Sequence, residues 1–222
     1  MTFLNLNHQP DADQRRKIIA TALDMNRLGI NQGKSGNVSA RIGNGFLVTP
    51  TGIPYAETRP EQIVAMNMSG VHEGTILPSS EWRFHLDIYT SRPDVHAIVH
   101  THATYATTLA CMSREIPAFH YMIAAAGGEN IRCAPYATFG TQELSDYAVT
   151  ALHDRKACLL AQHGMIAVGE SLEKALAVAV EVESLARMYW QILQLNPQPP
   201  ILSADEMKTV VERFKTYGQQ SS

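Results

Sequence analysis

Cysteine is scarce in this chain: Cys111, Cys133 and Cys158 are the only three among 222 residues. An odd, widely spaced set in apolar surroundings excludes a disulfide framework and a cysteine-ligated zinc site, and reads as reduced core thiols. Charge of one sign is missing too. Lys and Arg number 18 against 21 Asp and Glu, leaving a net −3 with no basic stripe, which excludes nucleic acid and anionic membranes as partners. No apolar run approaches the roughly 20 residues of a membrane helix. Residues 1–7 lack the charged and apolar regions of a secretory signal, so a cytoplasmic protein is expected. No Gly-x-x-x-x-Gly-Lys-Ser/Thr pattern occurs, which removes the nucleotide P-loop. What remains is a globular chain long enough to bury roughly 70% of its unfolded surface.

Hydrophobic periodicity orders the chain. Ile18, Ile19, Ala22, Leu23, Met25 and Leu28 recur at helical spacing over residues 11–28, closed by Gly29. A loop at 33–37, short strands at 38–41 and 46–49, a turn-rich segment at 50–54 and a strand at 63–66 follow. Pro78-Ser79-Ser80-Glu81 opens a helix to about Tyr89, with serine as N-cap and Glu81 in the first turn. Residues 95–99 read as a buried strand, 103–112 and 141–153 as helices, and 157–161 and 165–168 as strands. A long amphipathic helix over 171–195 has a soft start, because Ser171-Leu172-Glu173-Lys174 lacks the capping-box acid. Pro197-Gln198-Pro199-Pro200 breaks it before a last helix at 203–216. There is no internal repeat and no linker before those prolines. The mixture predicts an α/β fold over residues 1–222: a single-domain α/β/α sandwich with a mostly antiparallel central sheet.

His100-Thr101-His102 ends the 95–99 strand. Side chains two apart on a strand share a face, with Cα atoms about 6.6 Å apart, so two imidazoles there can converge on one cation. His163, between an apolar strand and Gly164, could complete a three-histidine set that leaves one position open, the arrangement of a catalytic zinc site; alone, it is equally a turn histidine. His96 shares the strand face but lies about 13 Å from His100 and about 20 Å from His102 by strand rise. His8, His72, His85, His96, His120 and His153 therefore receive no metal role. Glu81 is the candidate base, either stabilised by a helix dipole alone or paired with a metal. Three small-residue loops could bind an anion or be simple turns: Gly33/Gly36/Asn37, Thr51/Gly52 and Ser79/Ser80. No lysine has the desolvated or cationic setting that Schiff-base chemistry needs.

Longer strings are more specific. Arg27-Leu28-Gly29-Ile30-Asn31-Gln32-Gly33, Ser35-Gly36-Asn37-Val38-Ser39, Thr49-Pro50-Thr51-Gly52-Ile53-Pro54-Tyr55, Leu77-Pro78-Ser79-Ser80-Glu81-Trp82-Arg83-Phe84-His85, His100-Thr101-His102 and Ile116-Pro117-Ala118-Phe119-His120-Tyr121-Met122-Ile123 run in order. Ala134-Pro135-Tyr136-Ala137-Thr138-Phe139-Gly140-Thr141 and Phe214-Lys215-Thr216-Tyr217-Gly218 complete the set. From about Ile18 to Gly218 the chain resembles the class II aldolase/adducin family, and within it the L-fuculose-1-phosphate aldolases.

That resemblance implies one Zn²⁺ per subunit on His100, His102 and His163, with Glu81 as a further ligand while substrate is absent. It implies a substrate phosphate held by Gly36, Asn37, Thr51, Gly52, Ser79 and Ser80. Tyr121 would donate a proton from a neighbouring subunit of a homotetramer, and Tyr217, on a mobile tail from about 214, would cover the substrate. The reaction implied is cleavage of L-fuculose 1-phosphate, or a similar ketose 1-phosphate, to dihydroxyacetone phosphate and an aldehyde such as L-lactaldehyde, with zinc as Lewis acid. The alternatives are an aldolase for a 5-deoxy or 5-methylthio pentulose 1-phosphate, an L-ribulose-5-phosphate 4-epimerase, and a non-enzymatic adducin-like head, which would have lost the ligands present here. Lys34 departs from the family pattern, where a small neutral residue stands in the phosphate loop, and is read as solvated. The tail Gln219-Gln220-Ser221-Ser222 is short and uncharged.

Overall fold

The computed structural model describes residues 11–216; Tyr217 and the remainder of the tail lie outside them. The elements run α1 (Ala12–Arg27), β1 (Asn37–Ile42), β2 (Gly45–Val48), β3 (Val64–Asn67), α2 (Trp82–Ser91), β4 (Ala97–Thr101), α3 (Thr104–Cys111), β5 (Cys133–Ala134), α4 (Gln142–Ala151), β6 (Ala157–Leu160), β7 (Gly164–Gly169), α5 (Leu172–Leu195) and α6 (Ala204–Phe214). The strands form one sheet in the order β3-β2-β1-β4-β7-β6-β5. Among the described residues only the β5–β6 pair is parallel.

Alternation along the strands sorts side chains between two cores. Val38, Val99, Leu159 and Met165 pack with Ile18 of α1, Leu109 of α3 and Ala179 and Leu185 of α5. Val48, Ile98, Leu160 and Ile166 pack on the opposite face with Phe84 and Ile88 of α2 and Leu144 and Ala148 of α4. The predicted α/β/α sandwich is therefore the observed one. A central strand covered on both faces needs apolar residues at every position, which is why β4 reads as a run rather than an alternation. Each fully buried aliphatic side chain contributes roughly 1.5–3 kcal/mol, so packing on both faces fixes the end of β4 where His100 stands. Among the described residues, no helix is long and apolar enough to cross a membrane.

Four sequence expectations change. α2 starts at Trp82, so Glu81 occupies its N-cap position and not its first turn. Residues 78–80 pair instead with the neighbouring loop, through Ser79 N–H donating to Thr49 O at 3.0 Å and a bridge between Pro50 and Pro78. The start of α5 is capped, because Ser171 Oγ accepts from Lys174 N–H at 3.3 Å. β5, only two residues long, escapes any periodic signal. Of the cysteines, Cys158 alone is buried; Cys133 is half-buried and Cys111, at the end of α3, is exposed.

Candidate active site

β1 and β4 pair with Asn37 opposite His100, and β4 and β7 pair with Thr101 opposite Met165. His102 stands one residue beyond β4. The turn between β6 and β7 carries His163 alongside, with Gln162 in the left-handed region at φ 56°. The ligand-capable nitrogens of His100, His102 and His163 lie within 4.8 Å of one another. Two glycines permit the approach. A Cβ on Gly164 would sit 2.8 Å from His102 Cδ2 and 2.7 Å from Thr101 O; one on Gly36 would sit 2.5 Å from His100 O.

The donor set fits a divalent cation. His100 Nδ1 lies 2.9 Å from Met165 O. A carbonyl only accepts, so Nδ1 carries a proton and Nε2 is the nitrogen left to face the site. That nitrogen faces His102 Nε2 at 3.1 Å and Glu81 Oε2 at 3.1 Å, so three ligand-capable atoms converge where a shared cation would fit. Zinc–nitrogen bonds of about 2.0–2.1 Å in a tetrahedron separate ligand atoms by about 3.3 Å, close to this spacing. Glu81 Oε1 is buried and lies 3.1 Å from His163 Nε2 without the geometry of a hydrogen bond, a pair of atoms that one cation could serve together. Burial, then the charges of His100 and His163, lower His102 to about 4, leaving it neutral near pH 7 as a ligand must be. Burial opposes ionisation of Glu81, but His100 and His163 facing it outweigh that and hold its carboxyl well below the usual carboxylate range.

Three loops close on this centre. Val38 N–H donates to Thr49 Oγ1 at 3.2 Å, Thr51 N–H to Leu77 O at 3.1 Å, and Glu81 N–H to Ser79 Oγ at 3.3 Å. The structure thus brings the segments bearing Gly36 and Asn37, Thr51 and Gly52, and Ser79 and Ser80 together. Thr51, Gly52 and Ser80 are exposed, whereas Gly36, Asn37 and Ser79 are buried. The Asn37 amide is turned inward: Nδ2 donates to Glu81 Oε2 at 3.0 Å. Lys34, read as solvated, is exposed but donates from Nζ to Gly52 O at 2.7 Å.

A cleft of about 290 Å³ opens over the centre, lined by Glu81, His102, His163, Ser80, Tyr136 and Phe139 among others. Tyr121 is exposed and stands apart from that lining, its ring 6.5 Å from that of Phe214. Larger hollows of about 440 and 650 Å³ lie elsewhere, the first beside the exposed His96, and neither contains a cluster of metal-ligating groups. The sequence reading gave no role to Tyr55, whose hydroxyl donates to Gly36 O, to Asn31, which packs against Gly36, or to the cleft aromatics Tyr136 and Phe139. They stand inside family-like strings, but nothing in a single chain tells them from structural residues.

Imidazoles and a carboxylate around one point, opening onto loops rich in amide and hydroxyl donors, suit a metal-dependent enzyme for an anionic substrate. The chain belongs to the family described as "Class II Aldolase and Adducin N-terminal domain", which it matches over residues 16–190, and it is a lyase of that family. It is 55% identical over 207 residues to the 5-methylthioribulose-1-phosphate/5-deoxyribulose-1-phosphate aldolase of Rhodospirillum rubrum, covering 93% of each chain. It is also 55% identical over 203 residues to the L-fuculose phosphate aldolase of Escherichia coli K12, covering 91% of this chain and 94% of that one. A solved L-fuculose 1-phosphate aldolase superposes with a TM-score of 0.89 at 38% identity, covering 94% of this chain and 98% of the other.

Proposed function

We propose that this chain is a zinc-dependent aldolase of fucose degradation, cleaving L-fuculose 1-phosphate to dihydroxyacetone phosphate and L-lactaldehyde. The observation that carries the reading is the approach of Glu81 to within 3.1 Å of both His100 and His163 beside the donor-rich loops. His100, His102 and His163 would hold the cation, with Glu81 joining them in the absence of substrate. A cation there supplies Lewis-acid polarisation of the substrate's carbonyl and hydroxyl oxygens. Gly36, Asn37, Thr51, Gly52, Ser79 and Ser80 bind the phosphate through neutral donors, so a chain of net −3 still accepts an anion locally. In the synthetic direction the Glu81 carboxylate takes the carbon-bound proton from dihydroxyacetone phosphate, and the Tyr121 hydroxyl protonates the aldehyde oxygen as the carbon–carbon bond forms. Cleavage runs both transfers backwards.

Because Tyr121 stands outside its own cleft, it serves the site of a neighbouring subunit, in a homotetramer whose sites lie at the interfaces. Tyr217 closes over bound substrate. The substrate is a charged metabolite of the cytoplasm, and each subunit is a single domain of residues 1–222. A second reading, cleavage of a 5-deoxy or 5-methylthio pentulose 1-phosphate by the same residues, is favoured by the Rhodospirillum relative at equal identity. The test is dihydroxyacetone phosphate release from a panel of ketose 1-phosphates. Highest kcat/KM on L-fuculose 1-phosphate supports the first reading and a pentulose preference the second. Epimerisation without triose release would discard both. Exhaustive chelation should abolish release and zinc restore it; full activity in the metal-free protein would remove the mechanism.

A further inference from the structure

We infer that His85 is a positioning residue that orients Glu81 through a one-way chain of buried hydrogen bonds, an inference that rests on Glu81 acting as the base. Glu81, His85 and Tyr89 are spaced four apart and so lie on one face of α2 and its N-terminus. Asn37 and Ser39, two apart on β1, share the sheet face turned to them. The two rows interlock. Tyr89 OH lies 2.8 Å from Ser39 Oγ, Ser39 Oγ 2.6 Å from His85 Nδ1, His85 Nε2 2.6 Å from Asn37 Oδ1, and Asn37 Nδ2 3.0 Å from Glu81 Oε2. Ser39 and His85 are fully buried, and Asn37, Glu81 and Tyr89 nearly so.

Every proton in this chain has a determined place. An ionised carboxylate only accepts, so the NH₂ of Asn37 must face Glu81, and Asn37 Oδ1 must face His85. His85 Nε2 therefore carries the ring proton, and Nδ1 is the acceptor for the Ser39 hydroxyl. Ser39 Oγ then accepts from Tyr89. Burial keeps His85 neutral, as this tautomer requires. The chain points one way, from Tyr89 to Glu81, and a single reversal would aim the Asn37 carbonyl at the carboxylate. His85 thus sets the direction of the Asn37 amide, and Asn37 the direction of one Glu81 oxygen, leaving the other to face His163. Asn37 also belongs to the proposed phosphate loop, so the same chain links phosphate binding to the placement of the base.

The test compares His85→Phe, which removes both ring nitrogens, with His85→Gln, whose amide can still donate to Asn37 Oδ1. Zinc content, thermal unfolding, kcat and KM on the substrate identified above, and the visible spectrum of the Co²⁺-substituted protein are measured for each. His85→Phe should bind its metal and lose kcat by about 10- to 100-fold, the range for outer partners of a metal site, with KM within about threefold. Its Co²⁺ spectrum should shift as Glu81 rotates, and His85→Gln should restore both spectrum and rate. If His85→Phe does not fold, Ser39→Ala carries the test, with a smaller loss of kcat and the same spectral shift. A folded His85→Phe (or, in its place, Ser39→Ala) with kcat within twofold of the parent and an unchanged spectrum overturns the inference. So does an equal loss in the Phe and Gln variants that tracks their unfolding temperature. A parent protein that releases no dihydroxyacetone phosphate refutes the aldolase reading instead, while the spectra still report on the chain of bonds.

Discussion

At the scale of single residues the site depends on side chains that are small or uncharged as much as on its ligands. Gly164 has no room for a methyl group between Thr101 O and the His102 ring. Gly164→Ala should therefore push His102 out of line, costing roughly 1–3 kcal/mol as overpacking does and lowering metal affinity by about 10- to 100-fold; chelator competition measures the second. His85 gives a pH signature. Burial first, and the charge of His100 second, lower it from 6.5 to about 3. Between those values the unfolded chain binds a proton that the folded chain refuses, so stability is complete above pH 6.5 and falls as pH drops towards 3. His85→Gln, which cannot titrate, should lose stability less steeply over that interval, by up to roughly 1.4 kcal/mol per pH unit. Urea unfolding of the metal-loaded proteins at stepped pH would show the difference, and parallel slopes would contradict it.

At the scale of elements, the start of α3 beside the site is held by a side chain from a distant helix. α3 begins two residues after His102, and its N-cap residue Ala103 has no side chain able to cap it. Glu183 of α5 takes that place: Oε1 accepts from Tyr105 N–H at 2.9 Å and Oε2 from Ala106 N–H at 2.8 Å. Glu183→Ala should destabilise the protein by about 1–2 kcal/mol, measured by denaturant unfolding, whereas Glu183→Gln, which keeps one acceptor, should lose less. The sequence announced α3 through its apolar spacing but gave no hint of this cap, because donor and acceptor lie 77 and 78 residues apart. Distance along the chain likewise hid the bond from Asn37, 44 residues away, to Glu81. Its place beside a helix start was legible, yet the reading put it in the first turn, because the pairing of residues 78–80 with the loop at 49–51 is a tertiary contact.

At the scale of the whole molecule, Tyr121 and the metal centre of one chain are proposed to serve different sites. Mixing Tyr121→Phe with Glu81→Gln, each inactive alone, and allowing subunits to exchange should recover up to about a quarter of native sites. Recovered activity without exchange, or none after proven exchange, would show that Tyr121 does not act across subunits. The amino-acid sequence by itself determined the layer architecture, the main helices and strands other than β5 and the His100–His102 pair, because periodicity and short-range spacing are local properties of a chain; His163 joined them only through the resemblance. It also carried the family, since long strings are far more specific than a three-residue motif. Only the tertiary structure decided the direction of each hydrogen bond around Glu81, the inward turn of Asn37 and the link from Lys34 to Gly52. These depend on which strand pairs with which and on what burial leaves without water, and neither is written in neighbouring residues.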